Sequence, residues 1–115
     1  IPTYGRDNIV DLLNSISAAI RKANFEPEVI IYFNQIPGKS PSIDSFRKMI
    51  RGFHFAKLIL AKKVHNTAES SAFNAVLHSS CEYAWIVGDD DPQSGFAVAR
   101  PLKLTRNNGR AMQGR

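Results

Sequence analysis

Cysteine is all but missing from this sequence. Cys81 is the single one in 115 residues, so no internal disulfide can brace the fold, and a reducing compartment is the expected setting. Histidine is sparse. His54, His65 and His78 have no cysteine or second histidine at zinc-ligand spacing, which argues against a structural zinc site. No apolar run comes near the roughly 20 residues that a membrane-spanning helix needs. The opening Ile1-Pro2-Thr3-Tyr4 has neither the basic start nor the apolar segment of a signal peptide. Acid is missing from one end, because no Asp or Glu follows Asp91. What is present suits one globular domain. Hydrophobic residues make up 43% and charged residues 22%, which excludes wholesale disorder, a collagen-like repeat or a coiled coil.

The net charge of +5 suggests nucleic-acid binding until it is divided along the chain. Residues 1–99 hold ten Lys/Arg and ten Asp/Glu and sum to zero. Arg100, Lys103, Arg106, Arg110 and Arg115 account for the whole excess. A neutral body with a basic end predicts no specific nucleic-acid partner. The expected location is cytoplasmic, or at a membrane surface through a region outside this segment.

Short apolar runs alternate with amphipathic stretches, the pattern of βα units and a parallel sheet. Asp7 can cap a helix in which Ile9, Leu12, Leu13, Ile16 and Ile20 share one face, and Asn24 can end it. Val29-Ile30-Ile31-Tyr32-Phe33 reads as a strand buried on both faces, followed by a Pro/Gly loop from Asn34 to Pro41. Ser42 can cap a second helix carrying Phe46, Met49, Ile50 and Phe53. Lys57 to Ala61 reads as a second buried strand. Asn66 or Thr67 can cap a third helix running to about Ser79, and Tyr83 to Val87 reads as the last strand. Ile1 stands where a first strand should already be ending. Either that strand is very short, or the segment starts partway into a larger gene product. The expected organisation is an α/β domain over residues 1–94 and a basic, loop-like segment over 95–115.

The last strand runs directly into Asp89-Asp90-Asp91. Three adjacent carboxylates repel one another, so a counter-charge must justify them. On a solvated turn they would need only water. In an open α/β sheet, however, ligands bind beyond the carboxyl ends of the strands, where the winding reverses. Oxygen-rich sites there suit Mn²⁺ or Mg²⁺ bridging to phosphate. With the sheet wound 3-2-1-4, the loop Thr3-Tyr4-Gly5-Arg6 would face Asp89–Asp91. Tyr4 could then stack on a base, Arg6 could pair with phosphate, and the metal could neutralise a diphosphate.

These residues resemble the N-terminal half of a family-2-type glycosyltransferase of GT-A fold. The likeness rests on Ile1-Pro2-Thr3-Tyr4-Gly5-Arg6, the helix after Asp7, the Asn66 to Asn74 segment and Asp89-Asp90-Asp91, and covers about residues 1–92. Such enzymes commonly open with I-P-T-Y-N-R, carry N-x-G-x-x-x-x-x-N before the last helix and end the fourth strand in D-x-D. The resemblance implies a Rossmann-like three-layer sandwich with a mostly parallel sheet, cut short at its C-terminal side. It also implies a nucleotide-diphospho-sugar donor and a sugar, lipid or protein acceptor. Pro2, Thr3, Tyr4, Arg6, Asn34, Asp89 and Asp90 would contact the nucleotide-sugar. Asp89 and Asp91 would hold the metal. Gly5 replaces the usual Asn, Asn34 a usual Asp, and Ala68 a usual Gly.

An inverting transferase needs a general base, which in that family follows the D-x-D. With no acid after Asp91, the catalytic residue is unknown, and the chain alone is expected not to transfer sugar at an enzymatic rate. A non-catalytic nucleotide-binding module is the alternative. A receiver-like signalling domain ranks last, because strand 2 ends in Asn34 rather than in a phosphoacceptor Asp. Among the remaining residues, Tyr32, Phe33 and Trp85 read as core, His65 as a surface histidine, Asn74 as a helix hydrogen-bonder and Cys81 as unreactive.

Overall fold

The computed structural model of the chain describes residues 1–89 and the backbone of residues 100–103. Eight elements follow in order. They are β1 (Pro2–Thr3), α1 (Ile9–Ala23), β2 (Val29–Phe33), α2 (Ile43–Met49), β3 (Ala56–Leu60), α3 (Ala68–Val76), β4 (Tyr83–Ile86) and β5 (Arg100–Lys103). The class is α/β, as the alternating pattern predicts. Strands β1, β2 and β3 form a parallel sheet in that order. Thr3 stands opposite Phe33, and Val29 to Phe33 stand opposite Ala56 to Leu60. The Ile1 nitrogen continues the first ladder by donating to the Ile30 carbonyl at 2.6 Å.

Strand β4 takes a different partner from the one expected. It pairs antiparallel with β5 in a second, two-stranded sheet, so the adjacency of β1 and β4 in a 3-2-1-4 winding is not a hydrogen-bonded one among the described residues. Arg100–Lys103, read from sequence as part of a loop-like tail, is therefore a strand. The division at residue 94 and residues 104–115 lie outside the described residues.

Alternation along β2 sorts the helices. Ile31 and Phe33 face one side and join Ile9 and Leu13 of α1, Phe46 of α2 and its C-cap residue Ile50 in the main core. The rings of Phe33 and Phe46 stack with centroids 4.5 Å apart. Tyr32 faces the other side, where its ring meets those of His65 and His78, which flank α3. Val76 of α3 packs against Ala84 and Ile86 of β4. Residues 83 and 85 alternate away from that contact. Trp85 is consequently 56% exposed and Tyr83 54%, so Trp85 is not the core residue that its strand position suggested. Strand β3 also departs from expectation. It has one described neighbour, and Lys57 and Leu60 are exposed on it, whereas the apolar run predicted burial on both faces.

The caps follow the sequence signals with one correction. Ser42 and Thr67 accept from the amides of Ser45 and Ser70 at 3.1 and 3.0 Å, as N-caps should. Asn24 ends α1 in the left-handed conformation, φ 57°, with its amide on the Ile20 carbonyl. At the start of α1, however, Asn8 and not Asp7 takes the cap position, and its side chain makes no capping bond. The amides of Ile9 and Val10 instead reach the carbonyls of Arg6 and Asp7 at 3.2 and 3.1 Å, a tight lead-in turn that satisfies them without a side chain. Helix α3 stops at Val76, short of Ser79, because the amides of Leu77, His78 and Ser79 turn back to carbonyls three residues earlier.

Glu28, just before β2, gathers the turn that leads into β4. Its carboxylate accepts from the Ser80 amide and hydroxyl at 2.8 Å each and from the Ser79 hydroxyl at 3.3 Å. The Ser80 amide, first among these donors, holds the Glu28 carboxyl below its usual range of about 4.5. A depressed carboxyl stabilises the fold above its unfolded pKa and loses that contribution as pH falls through the folded value. Glu28→Gln should therefore melt below wild type at neutral pH, and the two melting curves should converge below about pH 4.5. A constant gap across that range would show that the charge of Glu28 is not what holds the turn.

Candidate functional site

Parallel strands β1, β2 and β3 deliver their C-terminal ends to one edge, and the segments leaving that edge carry Tyr4, Arg6, Asn34 and His65. The Thr3 hydroxyl donates to the carboxylate of Asp89 and accepts from the Gly5 amide at 2.9 Å. The two partners are 86 positions apart. Asp89 is only 6% exposed, held by the Thr3 hydroxyl and close enough to the buried Ile1 ammonium to act on its charge. The N-terminal Thr3-Tyr4-Gly5-Arg6 segment and the first residue of the acidic cluster thus meet, although β4 does not pair with β1.

Tyr4 follows at the rim. Its carbonyl accepts from the Ser40 hydroxyl, which also accepts from the Ile36 amide at 2.7 Å. Gln35 donates to the Pro41 carbonyl at 3.0 Å, so the Asn34–Pro41 loop is pinned to itself and to Tyr4. The Arg6 guanidinium donates to the Tyr4 hydroxyl at 3.4 Å and lies 5.8 Å from its ring centre. Pro2 stands one residue back from this edge, in the ladder opposite Tyr32. Asp90 and Asp91, the other two carboxylates of the cluster, lie outside the described residues.

Asn34 is buried at the end of β2, with both polar atoms of its side chain hydrogen-bonded. Its amide nitrogen donates to the His65 carbonyl at 3.0 Å, and its side-chain oxygen accepts from the His65 amide at 2.9 Å. Its own backbone amide donates to the Thr3 carbonyl at 2.8 Å. Asn34 therefore ties β1, β2 and the segment after β3 together. An Asp could accept from the His65 amide but could not donate to the carbonyl, which gives a physical reason for Asn here.

His65 is the residue that sequence reasoning misplaced. It is 8% exposed, not a surface histidine. Its Nε2 lies 2.7 Å from the Tyr32 hydroxyl and its Nδ1 3.3 Å from the Ser70 hydroxyl. Burial pushes the Tyr32 hydroxyl above its ordinary value, keeping it a neutral hydrogen-bonding group. The signal was non-local: a tyrosine inside an apolar strand needs a partner for its hydroxyl. Asn74, expected to bond within its helix, does so, donating to the Ser70 carbonyl at 2.8 Å.

Among the described residues no group of three or more His, Cys, Asp or Glu could hold a metal ion. A closed protein cage is thus not formed by them. Asp89 is the one carboxylate of the acidic cluster among the described residues, and Mn²⁺ or Mg²⁺ sites generally take one or two carboxylates with phosphate and water. Compared with protein families, with curated proteins and with solved structures, the chain matches none. Among the described residues no helix is long and apolar enough to cross a membrane.

Proposed function

We propose that this chain is the donor-binding domain of a glycosyltransferase of GT-A type, taking a nucleotide-diphospho-sugar together with Mn²⁺ or Mg²⁺. The observation that carries the reading is the bond from Thr3 to Asp89. It joins the segment read as lining a base pocket to the cluster read as D-x-D, at the edge of a parallel sheet where such ligands bind. In this reading Tyr4 presents its ring to the base and Arg6 its guanidinium to phosphate. Thr3 fixes the carboxylate of Asp89. Asp91 completes the D-x-D as the main metal ligand, with Asp90 beside the donor. Asn34 contacts the nucleotide-sugar from the end of β2, its side chain also bonded to the His65 main chain. The bound metal would stabilise the charge of the departing diphosphate. The sheet would extend as 3-2-1-4 in a three-layer sandwich, with β4 beside β1 in space.

Titration calorimetry with uridine diphosphate and guanosine diphosphate, each with and without Mn²⁺, tests the proposal. One nucleotide should bind measurably better with Mn²⁺ than without it, and Asp91→Asn should remove that gain. Binding that ignores both the metal and Asp91 would overturn the donor-site reading.

A further inference from the structure

The hydrogen bonds around His65 form one continuous path to the carboxylate at the crevice. At the far end, the imidazole is held between Tyr32 of β2 and Ser70 in the first turn of α3. The same residue's amide and carbonyl are both taken by the Asn34 side chain. The Asn34 amide then grips the Thr3 carbonyl, and the Thr3 hydroxyl reaches Asp89. Three strand ends and one helix are linked in this way, and every member except Ser70 is buried. Buried polar networks of this kind hold a single geometry when each partner is satisfied, and they loosen as a unit when one is lost.

We infer that His65 is a positioning residue whose ring, anchored by Tyr32 and Ser70, sets through Asn34 and Thr3 the placement of the Asp89 carboxylate. Its consequence for ligand binding rests on the donor-site reading, whereas its consequence for Asp89 does not. Supporting partners one step behind a metal ligand commonly change metal affinity by about 10–100-fold. His65, with both ring nitrogens and both main-chain groups engaged, acts further back, through Asn34 and Thr3.

The test uses the full chain with ¹³C-carboxyl-labelled aspartate, the Asp89 signal being assigned from its loss in Asp89→Asn. His65→Phe keeps an aromatic ring and removes both nitrogens, while the milder Tyr32→Phe removes one anchor. Ile50→Ala, in the core on the opposite face of the sheet, controls for general loss of stability. The Asp89 signal should move in His65→Phe, move less in the same direction in Tyr32→Phe, and stay in place in Ile50→Ala. An unmoved signal in both ring variants, or an equal shift in the control, would overturn the inference. In parallel, His65→Phe should weaken binding of uridine diphosphate with Mn²⁺ by about tenfold. If the wild type binds no nucleotide, the donor-site reading fails and the carboxylate signal still decides the role of His65.

Discussion

Gly5→Ala should be among the most damaging single changes in the chain, lowering stability by about 2–4 kcal/mol. Two independent costs combine there. Gly5 sits at φ +98°, a conformation that a residue with a Cβ rarely adopts. A Cβ added to it would also lie 2.7 Å from Pro41 Cδ and 2.8 Å from Phe33 Cε1. Neither neighbour can easily move, since Phe33 is fully buried in the main core and Pro41 is a closed ring. Gly38 separates the two costs. It too has positive φ, +80°, but nothing lies within 4 Å of its would-be Cβ. Gly38→Ala should therefore show only the backbone cost, about 1 kcal/mol. Urea unfolding of the two variants checks this, and equal midpoints would mean that the packing of Gly5 against Pro41 and Phe33 is not tight. Gly5→Asn should be no better than Gly5→Ala. Asn tolerates positive φ more readily than Ala, but its Cβ meets the same two rings. The Gly at this position of the Thr3-Tyr4-Gly5-Arg6 turn is thus set by the loop folded over it.

Much of the frame was legible because its signals are local. The run Val29 to Phe33 is the observed β2, residue for residue. Ser42 and Thr67 cap their helices with side-chain hydroxyls, and Asn24 ends α1 through its left-handed backbone. What failed depended on neighbours remote in sequence. The apolar run of β3 does not reveal that it has a single strand neighbour among the described residues. Trp85 looks like any strand aromatic until Val76 claims the alternate residues, Ala84 and Ile86. The burial of His65 needed two facts that no local pattern carries: the Tyr32 hydroxyl faces α3, and Asn34 holds the His65 main chain. The candidate site was legible as far as Thr3 and Asp89, because one ends a strand and the other follows one, and an α/β pattern sends such strand ends to the same edge. Asn34 was legible as a departure from an expected Asp, but its pair of hydrogen bonds to the His65 main chain, 31 residues away, was not.

Phe46→Ala should cost about 3–5 kcal/mol, the usual range for emptying a large aromatic site in a core. The ring is completely buried, stacked on Phe33 at 4.5 Å, and surrounded by Ile9, Leu13, Ile31 and Ile50. Ring loss removes both the buried apolar area and the aromatic pair, and the strands beneath cannot close a gap of that size. A domain of this length has roughly 5–15 kcal/mol in total, so the variant should melt on the order of 10–20 °C lower. Phe46→Leu should lose less than half as much, because most of the volume remains. The effect should also reach the crevice. Helix α2 begins directly after the Asn34–Pro41 loop, and Ser40 of that loop holds the Tyr4 carbonyl. When α2 is loosened, that loop loses the anchor on its C-terminal side while β1 keeps its ladder to β2. Hydrogen exchange should consequently rise first at the amides of Ile36, Lys39 and Ser40, which are bonded within the loop, and later at Tyr32 and Asn34 in the sheet. Simultaneous exchange at both sets would show that the loop and the sheet open as one unit. A melting temperature within about 5 °C of wild type would show that the Phe33–Phe46 stack is not the centre of the fold.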